Sequence, residues 1–103
     1  MMKMLLESLG YQVWTAGDIA QATGMLANEA FDLMISDLGL PDGTGHQLMH
    51  KIRASGSPLR AIALSGYGQE EDVKRSSEAG FSAHLVKPVD AEALLETVEG
   101  LFQ

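Results

Sequence analysis

The sequence contains no cysteine, has few aromatic residues and carries only 7 Lys and Arg against 14 Asp and Glu. Without cysteine, the chain has no disulfide, no thiolate nucleophile and no Cys-ligated zinc site. The net charge of -7 disfavours direct binding to nucleic acid or to an anionic membrane. No apolar run approaches the ~20 residues that a transmembrane helix needs. We therefore expect a cytoplasmic domain that binds neither nucleic acid nor membrane.

The 103 residues, of which 46% are hydrophobic, suffice for one domain with its own core. Helical periodicity and end signals predict five helices, at 1–9, 18–30, 44–56, 69–79 and 90–102. Apolar or β-branched runs between them predict four strands, at Tyr11–Thr15, Phe31–Asp37, Leu59–Ser65 and His84–Pro88. This alternation, with strands that are apolar on both faces, predicts an α/β domain over residues 1–103. Its sheet is parallel, with helices on both faces.

Short polar residues mark where three of these helices begin. Asp18 is followed three residues later by Gln21, and Thr44 by Gln47, which is the spacing of a capping box. Asp90 stands directly before the last helix and is predicted to cap it.

Polar side chains end three of the predicted strands, and ligands of open α/β sheets bind beyond the carboxyl ends of the strands. Asp37, Ser65 and Lys87 hold these positions, so we expect a carboxylate, a hydroxyl and an ammonium at one rim. A carboxylate can form an acyl phosphate as a nucleophile, and a lysine can neutralise a phosphoryl oxygen. The arrangement indicates phosphoryl chemistry.

Three segments resemble the receiver domains of two-component response regulators: DLGLPDGTG, IALSGYG and AGFSAHLVKPV. In their residues, these segments are most similar to receivers attached to hybrid sensor histidine kinases. The resemblance implies a flavodoxin-like fold in which Asp37 accepts a phosphoryl group and Ser65 and Lys87 engage it. It also implies a cis peptide bond between Lys87 and Pro88 and a magnesium requirement.

Further roles follow from the same resemblance. The backbone N–H groups of Leu38 and Gly66 are expected to hold phosphoryl oxygens. Asp37 and the carbonyl of Gly39 are expected to bind Mg²⁺. His84 stands where the family has a switch aromatic, and we expect its imidazole to turn between inward and outward rotamers.

The chain departs from the family at its start. Family members begin with a central strand that ends in two acidic residues holding Mg²⁺, whereas this chain begins within the helix that follows that strand. We therefore expect an incomplete N-terminus, weak or absent metal binding and impaired phosphorylation in this form. The sheet would compensate by pairing Tyr11–Thr15 with Phe31–Asp37, by rebuilding the Met-rich start as a strand, or by exchange between two chains. We favour a rearranged or domain-swapped homodimer.

The leading interpretation is a phosphoacceptor in a phosphorelay, supplied by a sensor histidine kinase or a phosphotransfer protein. It would be a substrate of phosphotransfer and not an enzyme. The alternative is a degenerate receiver that binds partners without phosphorylation. A small phosphatase or an electron carrier is disfavoured, because no phosphate-cradling loop follows the first predicted strand.

Other polar residues have simpler interpretations. Asp42, between Pro41 and Gly43, is expected to form a turn. His46 and His50 lie four residues apart, which would suit a metal pair, but without an evident third ligand we expect them to face solvent.

Overall fold

A computed structural model of the chain describes residues 2–66 and 70–102. The helices are α1 (Met2–Ser8), α2 (Ile19–Asn28), α3 (Gly45–Ala54), α4 (Glu70–Ala79) and α5 (Ala91–Leu101). The strands are β1 (Leu33–Asp37), β2 (Gly39–Leu40), β3 (Gly43–Thr44), β4 (Arg60–Ser65) and β5 (Ala83–Val86). All five predicted helices are confirmed to within a few residues of their ends.

The main sheet has the order β1-β4-β5, and both pairings are parallel. Asp37 is paired in register with Leu64, and Ser65 with Val86, so the strands end at a common rim. β2 and β3 form a separate two-residue antiparallel ribbon just beyond β1. The predicted α/β architecture with a parallel sheet is therefore confirmed.

The predicted strand at Tyr11–Thr15 is wrong. Residues 11–16 have no regular secondary structure, and β1 is an edge of the described sheet, so the two segments do not pair. A strand exists only where a neighbour satisfies its backbone groups, and no described strand lies beside this segment. The Met-rich start is not rebuilt as a strand either, because residues 2–8 form α1.

Two hydrophobic clusters cover the two faces of the sheet. One joins α2 and α3 to the sheet and contains the fully buried Met49. The other joins α1 and α5 to the opposite face and contains the buried Ile62, Leu94 and Val98. Side chains of β1 alternate between them, with Met34 packed against the first cluster and Ile35 against the second. The layers are therefore helix, sheet and helix.

Caps fix the helices that approach the rim. Asp18 accepts a hydrogen bond from the Gln21 amide, and Thr44 with Gln47 forms a complete capping box. The Gln21 side chain accepts from the Gly17 amide, one residue outside the box that the sequence predicted. Asp90 accepts from the Glu92 amide at the start of α5, as expected.

Asp42 does more than shape a turn. Its carboxylate accepts hydrogen bonds from the Ile19 amide at 2.9 Å and the Ala20 amide at 3.2 Å. These are among the amides that a helix start leaves without an intrahelical partner. The loop after β1 is thereby fastened to the N-terminus of α2.

Candidate functional site

The carboxyl rim of the sheet brings together the three polar residues that the sequence singles out. Asp37 ends β1, Ser65 ends β4, and Lys87 follows the last residue of β5. The Lys87 ammonium forms an ion pair with Oδ1 of Asp37, although β1 and β5 are not neighbouring strands. The backbone N–H of Lys87 donates to the Ser65 carbonyl at 2.7 Å. Lys87 is thus fixed to β4 by its backbone and to Asp37 by its side chain.

Accessibility differs among the three in a way that suits a nucleophile with supporting groups. The side chains of Asp37 and Lys87 are 44% and 49% exposed, whereas Ser65 is buried at 6%. A phosphoryl donor can therefore reach the carboxylate from solvent. Ser65 lies below the surface at the end of the neighbouring strand β4.

The loop after β1 departs from expectation at Leu38. The Leu38 N–H donates to the Leu64 carbonyl at 3.0 Å, so it is already used by the sheet and does not face a ligand. The expected role of this amide in phosphate binding is wrong for this structure. Gly39 and Gly66 are both exposed with open space where a Cβ would stand, and their predicted roles stay predictions.

Close approach of backbone explains one glycine of this loop. A Cβ on Gly45 would lie 2.6 Å from the carbonyl oxygen of Asp37. Any other residue there would push the start of α3 away from the end of β1.

The bond between Lys87 and Pro88 is cis, as the resemblance implied.

His84 contacts a residue that sequence reasoning missed. Its Nδ1 lies 3.1 Å from the hydroxyl of Ser76, which is buried on α4 at 1% exposure. The same hydroxyl lies 3.4 Å from Nε2 of His46 on α3. His46 is half-buried and packs edge-on against Phe81, so the expectation that it faces solvent is wrong. His50 is exposed, as expected.

Ser76 carried a weak signal in the sequence. It lies three residues before Ala79, and these are the two positions of α4 that are buried within the described side chains. A serine on the apolar stripe of an otherwise charged helix is a candidate for a buried hydrogen bond.

Magnesium does not fit the described residues. Within residues 2–66 and 70–102, no group of three or more His, Cys, Asp or Glu side chains lies close enough to hold a metal ion. Asp37 supplies one carboxylate, and its Oδ1 is committed to Lys87. Mg²⁺ prefers several oxygen ligands in near-octahedral geometry.

A cavity of about 210 Å³ runs along the free edge of β1 and ends at Asp37. Its walls include Trp14 and Ala16 on one side, Ala22 and Leu26 from α2, and Ile35 of β1. Across the described residues, no helix is long and apolar enough to cross a bilayer.

An accessible carboxylate paired with a lysine at the carboxyl rim of a parallel sheet, next to a buried serine, is the arrangement that the resemblance to receiver domains implies. Comparison with known proteins agrees. The family model of the response regulator receiver domain matches residues 1–99, so the chain belongs to the response regulator receiver family.

Individual relatives point to the same family. The chain is 36% identical over 93 residues to the sensor histidine kinase RcsC of Salmonella typhi, covering 90% of this chain but 10% of the kinase. It is 34% identical over 101 residues to an uncharacterised 14.6 kDa protein encoded in the sodA1 3′ region of Leptolyngbya boryana, covering 96% of this chain and 77% of that protein. The chain thus spans about a tenth of the length of the kinase.

Solved structures confirm the flavodoxin-like receiver fold. A CheY-like receiver domain of Methanospirillum hungatei superposes with a TM-score of 0.88 at 32% identity, covering 96% of this chain and 79% of that one. The CheX-CheY-BeF3-Mg²⁺ complex of Borrelia burgdorferi gives 0.92 at 26% identity, covering 99% of this chain and 78% of the matched chain.

Proposed function

We propose that this chain is a phosphoacceptor receiver whose Asp37 takes a phosphoryl group from a sensor histidine kinase or a phosphotransfer protein. The observation that supports this most strongly is the ion pair between Lys87 and Asp37 across the sheet rim. It puts a cation beside a carboxylate that ends β1 and is open to solvent. The acceptor is a substrate of the transfer and not a turnover enzyme, and it acts in the cytoplasm.

The transfer begins with a carboxylate oxygen of Asp37 attacking the phosphorus of a phosphohistidine. The O–P bond forms, the P–N bond to the imidazole breaks, and the leaving nitrogen takes a proton from solvent. Lys87 moves from the carboxylate to an oxygen of the transferred group, which keeps a positive charge beside the growing negative charge. The Ser65 hydroxyl donates to another phosphoryl oxygen.

Phosphorylation of Asp37 changes the surface around His84, and β5 carries this change. Lys87 is bonded to Ser65 through the backbone, and His84 lies three residues before it on β5. Movement of Ser65 and Lys87 toward the phosphoryl group shifts the end of β5, and His84 then exchanges its contact with Ser76 for an outward rotamer. The phosphoryl group thus biases two arrangements of one face, which a partner protein reads.

Phosphorylation of this 103-residue form is expected to be slow. The donor set at the rim does not suit Mg²⁺, so much of the charge on the transferring group must be offset by Lys87 alone. A relative solved with BeF3 and Mg²⁺ supports a metal in the family without supplying ligands here.

Labelling of the chain by radioactive acetyl phosphate tests this function. We expect a slow, incomplete label that hydroxylamine removes, because an acyl phosphate is cleaved by that nucleophile. The label should be lost in Asp37→Asn and kept in Asp42→Asn, a matched change of a carboxylate on the neighbouring loop that preserves an oxygen acceptor. A label that survives in Asp37→Asn contradicts the assignment of the acceptor. Rapid stoichiometric labelling contradicts the expected impairment.

The second candidate is a receiver that binds partners without phosphorylation. The observation that favours it is the unsuitable metal donor set among the described residues. A binding assay with the cognate kinase distinguishes the two functions. An interaction module binds the kinase with the same affinity as the parent or as Asp37→Asn, with and without a phosphodonor. A phosphoacceptor changes its affinity with a phosphodonor in the parent and not in Asp37→Asn.

A further inference from the structure

Two histidines share one buried hydroxyl at the place where α3, α4 and β5 meet. Nδ1 of His84 lies 3.1 Å from Oγ of Ser76, and Nε2 of His46 lies 3.4 Å from the same oxygen. A hydroxyl has one proton and two lone pairs, so it can accept a hydrogen bond from one neutral imidazole while it donates to the other. The Ser76 side chain, which is 1% exposed, thus joins three elements of the fold.

The second nitrogen of the His84 ring has no such partner. Its Nε2 is buried and makes no hydrogen bond within the described residues. Whichever nitrogen holds the proton of the neutral ring, the imidazolium carries a proton on both. When a proton from solvent adds to the ring, Nε2 therefore becomes a buried, charged N–H group that faces no acceptor. Burial of such a group is unfavourable, so the inward position of His84 suits the neutral ring and not the charged one.

His84 faces α3 and α4 and not α5. Its neighbours along β5, Ala83 and Leu85, pack with the cluster on the α1 and α5 side, and side chains alternate along a strand. Its partner in register on β4 is the uncharged Ala63. The one charged residue of β4 is Arg60, at the opposite end of that strand. The charges that bear on the ring therefore belong to α3, to α4 or to the rim.

Within the described side chains, His46 is the titratable group that joins this cluster. Arg53 of α3 is committed to the Gly80 carbonyl, and Lys87 at the rim is paired with Asp37. Other charged or titratable residues of the two helices are exposed, namely His50, Lys51, Lys74, Arg75 and Glu78.

The acidic start of α4 supplies one further group to consider. Among Glu70, Glu71 and Asp72, Asp72 falls four residues before Ser76, which is the spacing of neighbours on one side of a helix. Its carboxylate therefore needs a variant of its own in any test of pH dependence.

The surface beside His84 is open in the outward direction. Val86, two residues further along β5 and thus on the same face of the strand, is 44% exposed. Val73, about one turn before Ser76 on α4, is exposed as well. The half-buried ring of His84 that turns away from Ser76 reaches this surface, where water can solvate its charge.

We propose that His84, Ser76 and His46 form a proton-sensitive latch. The neutral ring of His84 holds β5 to α4 through the Ser76 hydroxyl, and protonation of the ring releases it toward solvent. Acid and phosphorylation of Asp37 then favour the same outward arrangement, and because they act on one equilibrium, each promotes the other. The link to Asp37 rests on the proposed function. The latch itself needs no phosphoryl group, so it can fail without the phosphoacceptor role failing.

Nuclear magnetic resonance of the isotope-labelled, unphosphorylated 103-residue chain tests the latch. At about pH 8, we expect a nuclear Overhauser cross-peak between the His84 ring and the β-protons of Ser76, since the two side chains are in contact. Lowering the pH to about 5.5, across the range in which imidazoles gain a proton, should reduce this cross-peak by about half or more. Returning to the starting pH should restore it. The carbon shifts of the same ring report its protonation.

Three variants assign the response, with the backbone amide shift of Ser76 as the signal that all of them share. His84→Phe keeps an aromatic ring without a titrating nitrogen and should remove most of the pH-dependent change seen in the parent. His50→Phe makes the same substitution at the exposed histidine of α3 and should keep the change. Asp72→Asn should also keep it. If His84→Phe does not fold, as judged by the dispersion of its amide spectrum, the cross-peak of the parent decides.

Three results would overturn the proposal. One is a cross-peak that stays unchanged, or is never present, although the carbon shifts show that the ring becomes charged. Another is a His84 ring that stays neutral down to about pH 5.5. The third is a pH response of the Ser76 amide that persists in His84→Phe or disappears in Asp72→Asn, because a different group would then be titrating.

Discussion

The Asp42 carboxylate lies 2.9 Å from the backbone nitrogen of Ile19 and accepts its hydrogen bond, which fastens the loop after β1 to the start of α2. The Ile19 amide lowers the pKa of Asp42 below its ordinary value of 3.8, and the Ala20 amide acts in the same direction. The loop that carries Gly39 is therefore positioned by a contact between residues 23 positions apart.

Loss of this contact should destabilise the domain in a pH-dependent way. A carboxyl whose pKa is lowered on folding contributes stability above its unfolded pKa, and that contribution disappears as the pH falls through the lower folded pKa. Asp42→Ala should therefore lower the Tm at neutral pH, and the difference from the parent should shrink below about pH 4. Thermal melts monitored by circular dichroism at several pH values measure this. Asp32→Ala, at an exposed residue before β1, is the control, and a pH-independent difference for Asp42→Ala contradicts the assignment.

Ser76 and His84 should be energetically coupled. Ser76→Ala leaves the Nδ1 atom of His84 without its described partner and should cost about 1–3 kcal/mol, because an unsatisfied buried polar atom loses its solvation. His84→Phe removes the need for that partner, so the double variant should be more stable than additivity implies by ~1 kcal/mol. Urea unfolding of the parent, the two single variants and the double variant gives the coupling energy. Ser77→Ala, at the exposed neighbour, should change the free energy of unfolding little. Strict additivity of the two substitutions would show that the contact between Ser76 and His84 does not contribute to stability.

Gly80 has a backbone conformation and a neighbour that both require glycine. Its φ is +112°, and a Cβ there would lie 2.7 Å from Cγ of Arg53, whose guanidinium donates to the Gly80 carbonyl. Gly80→Ala should therefore destabilise by about 1–3 kcal/mol. Gly24→Ala, inside α2 with open space around it, should instead stabilise by ~0.5–1 kcal/mol. Denaturant titrations of both variants should thus deviate from the parent in opposite directions, and a neutral Gly80→Ala would refute the reasoning.

Lys87 should matter far more for labelling of Asp37 than for folding. Both partners of this ion pair are about half exposed, and pairs of this kind contribute at most ~1 kcal/mol. Lys87→Ala should leave the urea midpoint nearly unchanged while reducing the rate of labelling by acetyl phosphate by about tenfold or more, as expected when a charge facing the transferred group is lost. Lys74→Ala, on the exposed face of α4, controls for net charge. Unchanged labelling in Lys87→Ala would remove the role proposed for this lysine.

Local patterns in the sequence predicted most of the fold. Apolar periodicity and capping residues predicted the five helices, because both depend on residues close together in the sequence. The polar residues at three strand ends predicted which residues meet at the rim. Tyr11–Thr15 misled for a physical reason: its composition suits a strand, but strand formation requires a partner edge that the described chain does not put beside it.

The site residues that were missed all depend on contacts distant in sequence. Asp42 looked like a turn former because its turn is local, whereas its bonds to α2 are not. His46 was expected to face solvent because its contact with Ser76 comes from α4, which is distant in sequence. Leu38 looked available for a phosphate because nothing in its own segment reveals that Leu64 takes its N–H.

Two carboxylates bracket the edge of β1 that no described strand covers. Strand edges of this kind are where chains join into fibrils, and natural proteins guard them with charge. Asp32 and Asp37 bracket the five residues of β1, so a second β1 that joins edge to edge brings carboxylates against carboxylates. The placement of the two aspartates thus disfavours such joining, and one of them is the residue on which the proposed phosphoryl transfer would add still more negative charge.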